Sequence, residues 1–294
     1  MTMSNRFLRS FRWFILFLAC GLILTGCVGQ NIMAAAFEPQ VIAAASNKAP
    51  VLDYLNASLD DLKVIDNLLA DADLDLMNQN TADDQEVVTA DTITRYLGIL
   101  AGYQSSVKEV LTAIDSRSTP NLEDLTRFRD SERAMFVLTG DLLAEYEQIM
   151  NYSSALITMG TNLESLNYYD ANDLEGTYQT INNALVATVD LLKSQSVPSF
   201  LQNMNENLID ALEQMNEAVL YTLQAVALND PLRIDAAQYR MDILTRHFDK
   251  IIGSVDQDMS DRESKLSQEI AKIQTTSNGL KDWVGQNVKQ LENG

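Results

Sequence analysis

Residues 128–166 read FRDSERAMFVLTGDLLAEYEQIMNYSSALITMGTNLESL, and their periodicity decides the fold. Phe128, Met135, Leu142, Ile149, Leu156 and Leu163 recur every seven residues. Three positions on, Ser131, Leu138, Glu145, Tyr152, Met159 and Leu166 form a companion row, four of the six apolar or aromatic. Two rows at this spacing lie on one side of an α-helix and make a coiled-coil-like seam. Thr119-Pro120 supplies a helix start, a capping hydroxyl followed by a residue that lacks a backbone donor. A helix over 120–168 would reach about 70 Å at a rise of 1.5 Å per residue, longer than most helices of globular proteins.

The same period continues on both sides. Val51, Leu55, Leu62, Ile65, Leu69 and Leu76 predict a first helix over 51–78, closed by the polar run 78–84. Ile93, Leu97, Leu100, Val107, Val110, Leu111 and Ile114 predict a second over 86–116. Asp170 or Asp173 can cap a fourth, carrying Leu174, Tyr178, Ile181, Leu185 and Leu192. Val197-Pro198 breaks it and starts a fifth, with Leu201, Met204, Leu208, Leu212, Met215, Val219 and Val226. Asn229-Asp230-Pro231 opens a sixth, running through Leu244, Phe248, Ile252, Met259, Leu266 and Ile273 to Gly279. Leu280, Trp283, Val284, Val288 and Leu291 make one more amphipathic segment over 280–294, either docked on the bundle end or meeting another surface.

No strand pattern competes, and the loops are short. The expected fold is therefore all-α, an elongated up-and-down bundle of long coiled-coil-like helices over 51–279. A shift of 111 residues superposes Pro120 on Pro231, Asp124 on Asp235, Phe128 on Tyr239 and Arg129 on Arg240. With medium, medium and long helices in each half, the sequence allows two divergent three-helix units, 51–168 and 170–279. Chance agreement between amphipathic helices is the competing explanation.

The start of the chain is of another kind. Arg6, Arg9 and Arg12 form a basic stretch without an acid, and Trp13 to Leu24 is an apolar run too short to cross a bilayer comfortably. Leu24-Thr25-Gly26-Cys27 follows. It resembles the lipobox of bacterial lipoproteins. The resemblance implies removal of residues 1–26 as a signal peptide and acylation of Cys27, with a palmitate-type chain among the acyl groups. It also implies an extracytoplasmic cell-envelope location, lipid-anchored to a membrane. Val28 rather than Asp follows the cysteine, which favours the outer membrane where two membranes exist, and otherwise the outer face of the plasma membrane. An uncleaved N-terminal helix anchor is the rival reading. Residues 27–50, with two three-alanine runs and Pro39 and Pro50, read as a tether.

Composition excludes several functions. Of the two cysteines, Cys20 lies in the leader and Cys27 at the cleavage point, so a mature chain holds no thiol for a disulfide or thiolate metal site. His247 is the only histidine, and no metal site or other cofactor is expected. A helical lipoprotein of the imelysin-like type would carry His-x-x-Glu, but Phe248-Asp249-Lys250 follows His247. Asp71-Ala72-Asp73-Leu74-Asp75 begins like a calcium loop and then offers Leu76 and Ala82 where Gly and Glu are required. No nucleophile elbow, phosphate loop or dinucleotide glycine pattern occurs, and no enzymatic activity is expected. The net charge is −20, and loss of the three leader arginines would take it to −23, a field that repels nucleic acid and anionic head groups.

Against that field the arginines of the two long helices stand out. Arg127, Arg129 and Arg133 lie early in one, and Arg233, Arg240 and Arg246 early in the other. Arg129, Arg133 and Arg240 are candidates for holding a small anionic ligand such as a carboxylate. Pairing with Glu123, Asp130, Asp235 and Asp242 on the same helices is the structural alternative. The expected function is a non-enzymatic envelope protein whose acidic bundle binds another envelope protein or acts as a spacer. The alternative is a small-ligand-binding bundle signalling through a partner, which loosely resembles the extracytoplasmic helical domains of bacterial chemoreceptors in architecture alone.

Overall fold

The structure is a computed structural model that describes residues 48–80, 90–164, 170 and 172–293. The leader, Cys27, the tether up to residue 47, the acids Asp83 and Asp84 and the seam residue Leu166 lie outside the described residues. The described chain is all-α and has no strand. Its helices are α1 (Lys48–Asn80), α2 (Ala90–Ser116), α3 (Glu123–Leu163), α4 (Leu174–Lys193), α5 (Gln202–Ala227) and α6 (Pro231–Asn293), with a 3₁₀ turn at Ser199–Leu201 before α5. None of them is long and apolar enough to cross a membrane.

Two compact units form, and each buries its own core. One gathers 48–80, 96–146 and 263–293: α1, most of α2, the first part of α3 and the last part of α6. Val51, Leu55, Leu62 and Ile65 of α1 meet a core that includes Val107 and Ile114 of α2, Phe128 and Phe136 of α3, and Leu280 and Val284 of α6. Phe128 and Trp283 stack with ring centroids 5.0 Å apart at 20°, tying α3 to α6, and Lys281 pairs with Asp66 of α1. The other unit gathers the first turns of α2, the end of α3, α4, α5 and the first part of α6. There α4 packs on α5, and the core includes Leu185, Leu208, Leu212, Tyr152, Leu244 and Phe248. Tyr152 donates to Asn205 Oδ1 at 2.8 Å, which satisfies both polar groups inside that core. These units do not follow the sequence halves 51–168 and 170–279, since each takes helices from both.

The first row of the α3 seam is buried from Phe128 to Leu156. The companion row holds only in its later part: Tyr152 and Met159 are buried, whereas Ser131, Leu138 and Glu145 are only partly covered, and a further buried row falls four residues after the first, at Glu132, Thr139, Tyr146 and Ser153. Spacings of three and four both return to one helix face, and in the unit with α1 the packing covers Glu132, Thr139 and Tyr146 rather than the companion positions beside them.

Boundaries shift in three places. Helix α1 starts at Lys48, so the last residues assigned to the tether are its first turn. Helix α3 starts at Glu123, not at Pro120, and the Thr119 hydroxyl accepts from Arg129 Nη1 (3.4 Å). Helix α6 does not stop near Gly279: it continues to Asn293, and Leu280, Trp283, Val284 and Leu291 are buried as part of the same helix. At Gly279 a Cβ would meet nothing within 4 Å, so this glycine marks neither a turn nor a close approach.

Other signals hold at residue level. Asp173 is the N-cap of α4 and its Oδ1 accepts from Gly176 N at 2.8 Å. Asn229 takes φ 52°, a left-handed conformation that asparagine tolerates, and Asp230 Oδ1 accepts from Arg233 N at 3.2 Å as α6 begins at Pro231. Replacing Asp173 by Ala should lower unfolding free energy by about 1 kcal/mol, read by chemical denaturation, with Asp173→Asn recovering most of it. An unchanged Asp173→Ala midpoint would contradict the cap.

Candidate functional site

Helix α1 presents Tyr54, Ser58 and Asp61 at spacings of four and three, which place them on one face. Ser58 fills the gap between Leu55 and Leu62 in the buried stripe. Arg117 follows the last turn of α2, its backbone N–H bonded to Ala113 O at 3.0 Å, and its side chain turns back onto that face. Its Nη2 pairs with Asp61, its Nη1 donates to Ser58 Oγ at 3.0 Å, and its guanidinium lies 5.5 Å from the centre of the Tyr54 ring. Ser58 Oγ in turn donates to Glu132 Oε2 of α3 at 3.4 Å. All of these residues belong to one compact unit.

Glu132 is the chemical oddity of this group. It is 0 % exposed, and its Oε1 has no hydrogen-bond partner. Burial, reinforced by the negative charge of Asp61, pushes its carboxyl from an ordinary 4.5 up to about 8; Arg117 and the Ser58 hydroxyl oppose this only in part. Burial also raises Asp61, while its direct hydrogen bond to Arg117 pulls it back. One guanidinium thus serves two carboxyls. Asp61 is in direct contact with it, and Glu132, reached only through Ser58, keeps the proton at neutral pH. Burial raises the Tyr54 hydroxyl as well, with the Glu132 carboxyl second.

This arrangement holds a proton and fixes one helix against another. Sliding α3 along α1 by a turn would take Glu132 from Ser58 and strand both in an apolar layer, at a cost of about 1–3 kcal/mol for each unsatisfied group.

The residues chosen from sequence lie elsewhere. Arg129 pairs with Asp130 at 3.0 Å and reaches Thr119, so it borders the Tyr54 group. Arg133 pairs with Asp115 across to α2 at 2.7 Å, and that hydrogen bond holds the Asp115 carboxyl below its usual range. Arg240 pairs with Glu217 of α5 at 3.3 Å. Arg127 pairs with Glu123, and Arg233 with Asp230 at 3.2 Å. Arg129 and Arg133 belong to one compact unit and Arg240 to the other. Phe128 is fully buried while Tyr239, its counterpart at a shift of 111, is 65 % exposed, so the superposed positions sit in different surroundings. His247 is exposed, and Cys27 lies outside the described residues.

Ser58, Arg117 and Glu132 were not singled out by the sequence. The available signal was Glu132 itself, four residues after Phe128 and three before Met135, an acid inside an apolar stripe.

The proton on Glu132 makes stability depend on pH in a defined direction. Its folded pKa lies above its unfolded value, so folding is favoured below about 4.5 and loses on the order of 1.4 kcal/mol per unit as pH rises towards 8. Glu132→Gln keeps shape and neutrality but cannot ionise. The variant should match the parent in denaturant titrations near pH 5 and exceed it in stability near pH 8. Parallel stability profiles for the two proteins would refute the assignment.

Comparison with protein-family models, curated proteins and solved structures found no match to this chain.

Proposed function

We propose that this chain is a non-enzymatic, lipid-anchored cell-envelope protein whose helical body serves as a protein-interaction module. The anchor half of the reading is supported by the sequence Leu24-Thr25-Gly26-Cys27 behind its basic and apolar leader. The interaction half is carried by one observation. Among the described residues, six of the eight exposed large apolar side chains fall between 220 and 243: Leu220, Tyr221, Leu228, Leu232, Tyr239 and Ile243. Scattered apolar residues on a surface need no explanation, but a cluster around one helical corner is the usual mark of a surface another protein covers.

A spacer would need the length of the helices and no such cluster. The alternative of a small anionic ligand would use Arg129, Arg133 or Arg240. Each of these guanidiniums is already engaged by a carboxylate of the chain, which a ligand would have to displace.

Cys27→Ser tests the anchor. In cells producing the full chain, the parent should sediment with membranes and incorporate labelled palmitate, and the variant should do neither. A variant that keeps its membrane association would overturn the anchor assignment.

A further inference from the structure

Helix α6 carries two apolar faces in its first part. Ala237, Leu244, Phe248 and Ile251 are buried in the core of their unit. On a separate face Leu232, Ala236, Tyr239 and Ile243 are all exposed, Leu232 by 79 %. Their spacings of four, three and four are those of alternating d and a positions of a heptad. A helix needs only one such face to join its own core. The second face has no partner among the described residues of its unit.

The charges beside this outward seam identify what fits it. With Leu232 and Tyr239 at d and Ala236 and Ile243 at a, the e positions are Arg233, Arg240 and His247, and the g positions are Asp235, Asp242 and Asp249. In a parallel two-stranded pairing, each g residue faces the e residue five positions further along the other helix. Asp235 then meets Arg240 of a second copy and Asp242 meets its His247, on both sides of the seam. An antiparallel pairing would set the aspartates against aspartates and the arginines against arginines. The local charge also permits a second copy to approach. Residues 231–250 hold four Lys or Arg and three Asp, within a chain of net charge −20. Arg246 and Lys250 occupy the next d and a positions and end the seam, leaving a contact about 17 Å long.

We propose that this face of α6 pairs in parallel with the same face of a second copy of the chain. The proposal rests on the reading of the body as an interaction module and names its partner. Arg240 uses only Nη2 towards Glu217, so Nε and Nη1 can serve the partner's carboxylate. Leu220 and Tyr221 of α5 and Leu228 just after it are exposed as well. Two short heptads bind weakly by themselves. Two copies anchored by the same end share a membrane and an orientation, which raises their effective concentration and matches the parallel register.

Thiol crosslinking of the full chain in native membranes tests this. A parallel two-fold places position 243 against itself, so Ile243→Cys should give a disulfide-linked homodimer on mild oxidation, whereas Asn203→Cys, exposed on α5, should not. Adding Leu232→Asp and Tyr239→Asp should reduce the crosslink about tenfold, an effect on the order of 1.4 kcal/mol. Asp235→Arg should weaken it, and Asp235→Arg combined with Arg240→Asp should restore it. Circular dichroism of each variant establishes that helicity is retained. Equal crosslinking at 203 and 243, an adduct with a different protein in place of the homodimer, or membrane-bound protein without a 243 disulfide would each overturn the pairing. Recovery of the chain in the soluble fraction overturns the anchor instead, and a 243 disulfide formed there still supports the pairing.

Discussion

Phe128, Met135, Leu142, Ile149 and Leu156 are buried at seven-residue intervals along α3, and both compact units depend on that row. Its first three members lie in the core with α1, α2 and the end of α6; its last two lie in the core with α4, α5 and the start of α6. Each large apolar side chain removed from water contributes about 1.5–3 kcal/mol, so a polar residue anywhere in the row would weaken the unit that holds it. The neighbouring row is different in kind. Glu132, Thr139, Tyr146 and Ser153 bring polar atoms into the interior, and these must be satisfied locally. Thr139 does so within α3, donating to Met135 O at 2.9 Å. Glu132 instead depends on α1 and, through Ser58, on Arg117.

That division explains what could be read from the sequence. Apolar period is a local property, so the helices, the first row of α3, the Asp173 cap and the Pro231 start were legible. The companion row is legible at Tyr152 and Met159, which are buried, but not at Ser131, Leu138 and Glu145, where the residues one position further on are covered instead. Only contact with α1, 74 residues away in the chain for Ser58 and Glu132, decides which row is covered. Arg117 stands just after a helix end, and nothing in its own segment shows that Asp61 lies across from it. The extension of α6 past Gly279 was hidden for the opposite reason, a glycine given the weight of a stop signal where the structure leaves it ample room. The outward seam of α6 escaped notice because one apolar face accounts for an ordinary amphipathic helix. Tyr239 and Ile243 become informative only once their exposure is known.

The two unusual features of the chain have different roles. The group around Glu132 is largely buried, open to solvent only at Arg117 and Asp61, and sets how α1 meets α3, with a proton as part of the fit. The α5–α6 corner is open, apolar and close to neutral, on a chain whose remaining surface is strongly acidic. A field of that sign opposes the approach of nucleic acid, acidic lipid and other copies of the chain. Under the proposed pairing the corner is where this repulsion would be relieved, and an anchor in the membrane would hold the partners close enough for a small surface to suffice.

The anchor is the claim on which this account turns, and the mass of the N-terminal peptide of the protein extracted from membranes tests it most directly. The account predicts a chain that begins at Cys27 and carries acyl groups on that residue. A peptide that still contains Arg6, Arg9 and Arg12, or one cleaved at a different position and bearing no lipid, would contradict it.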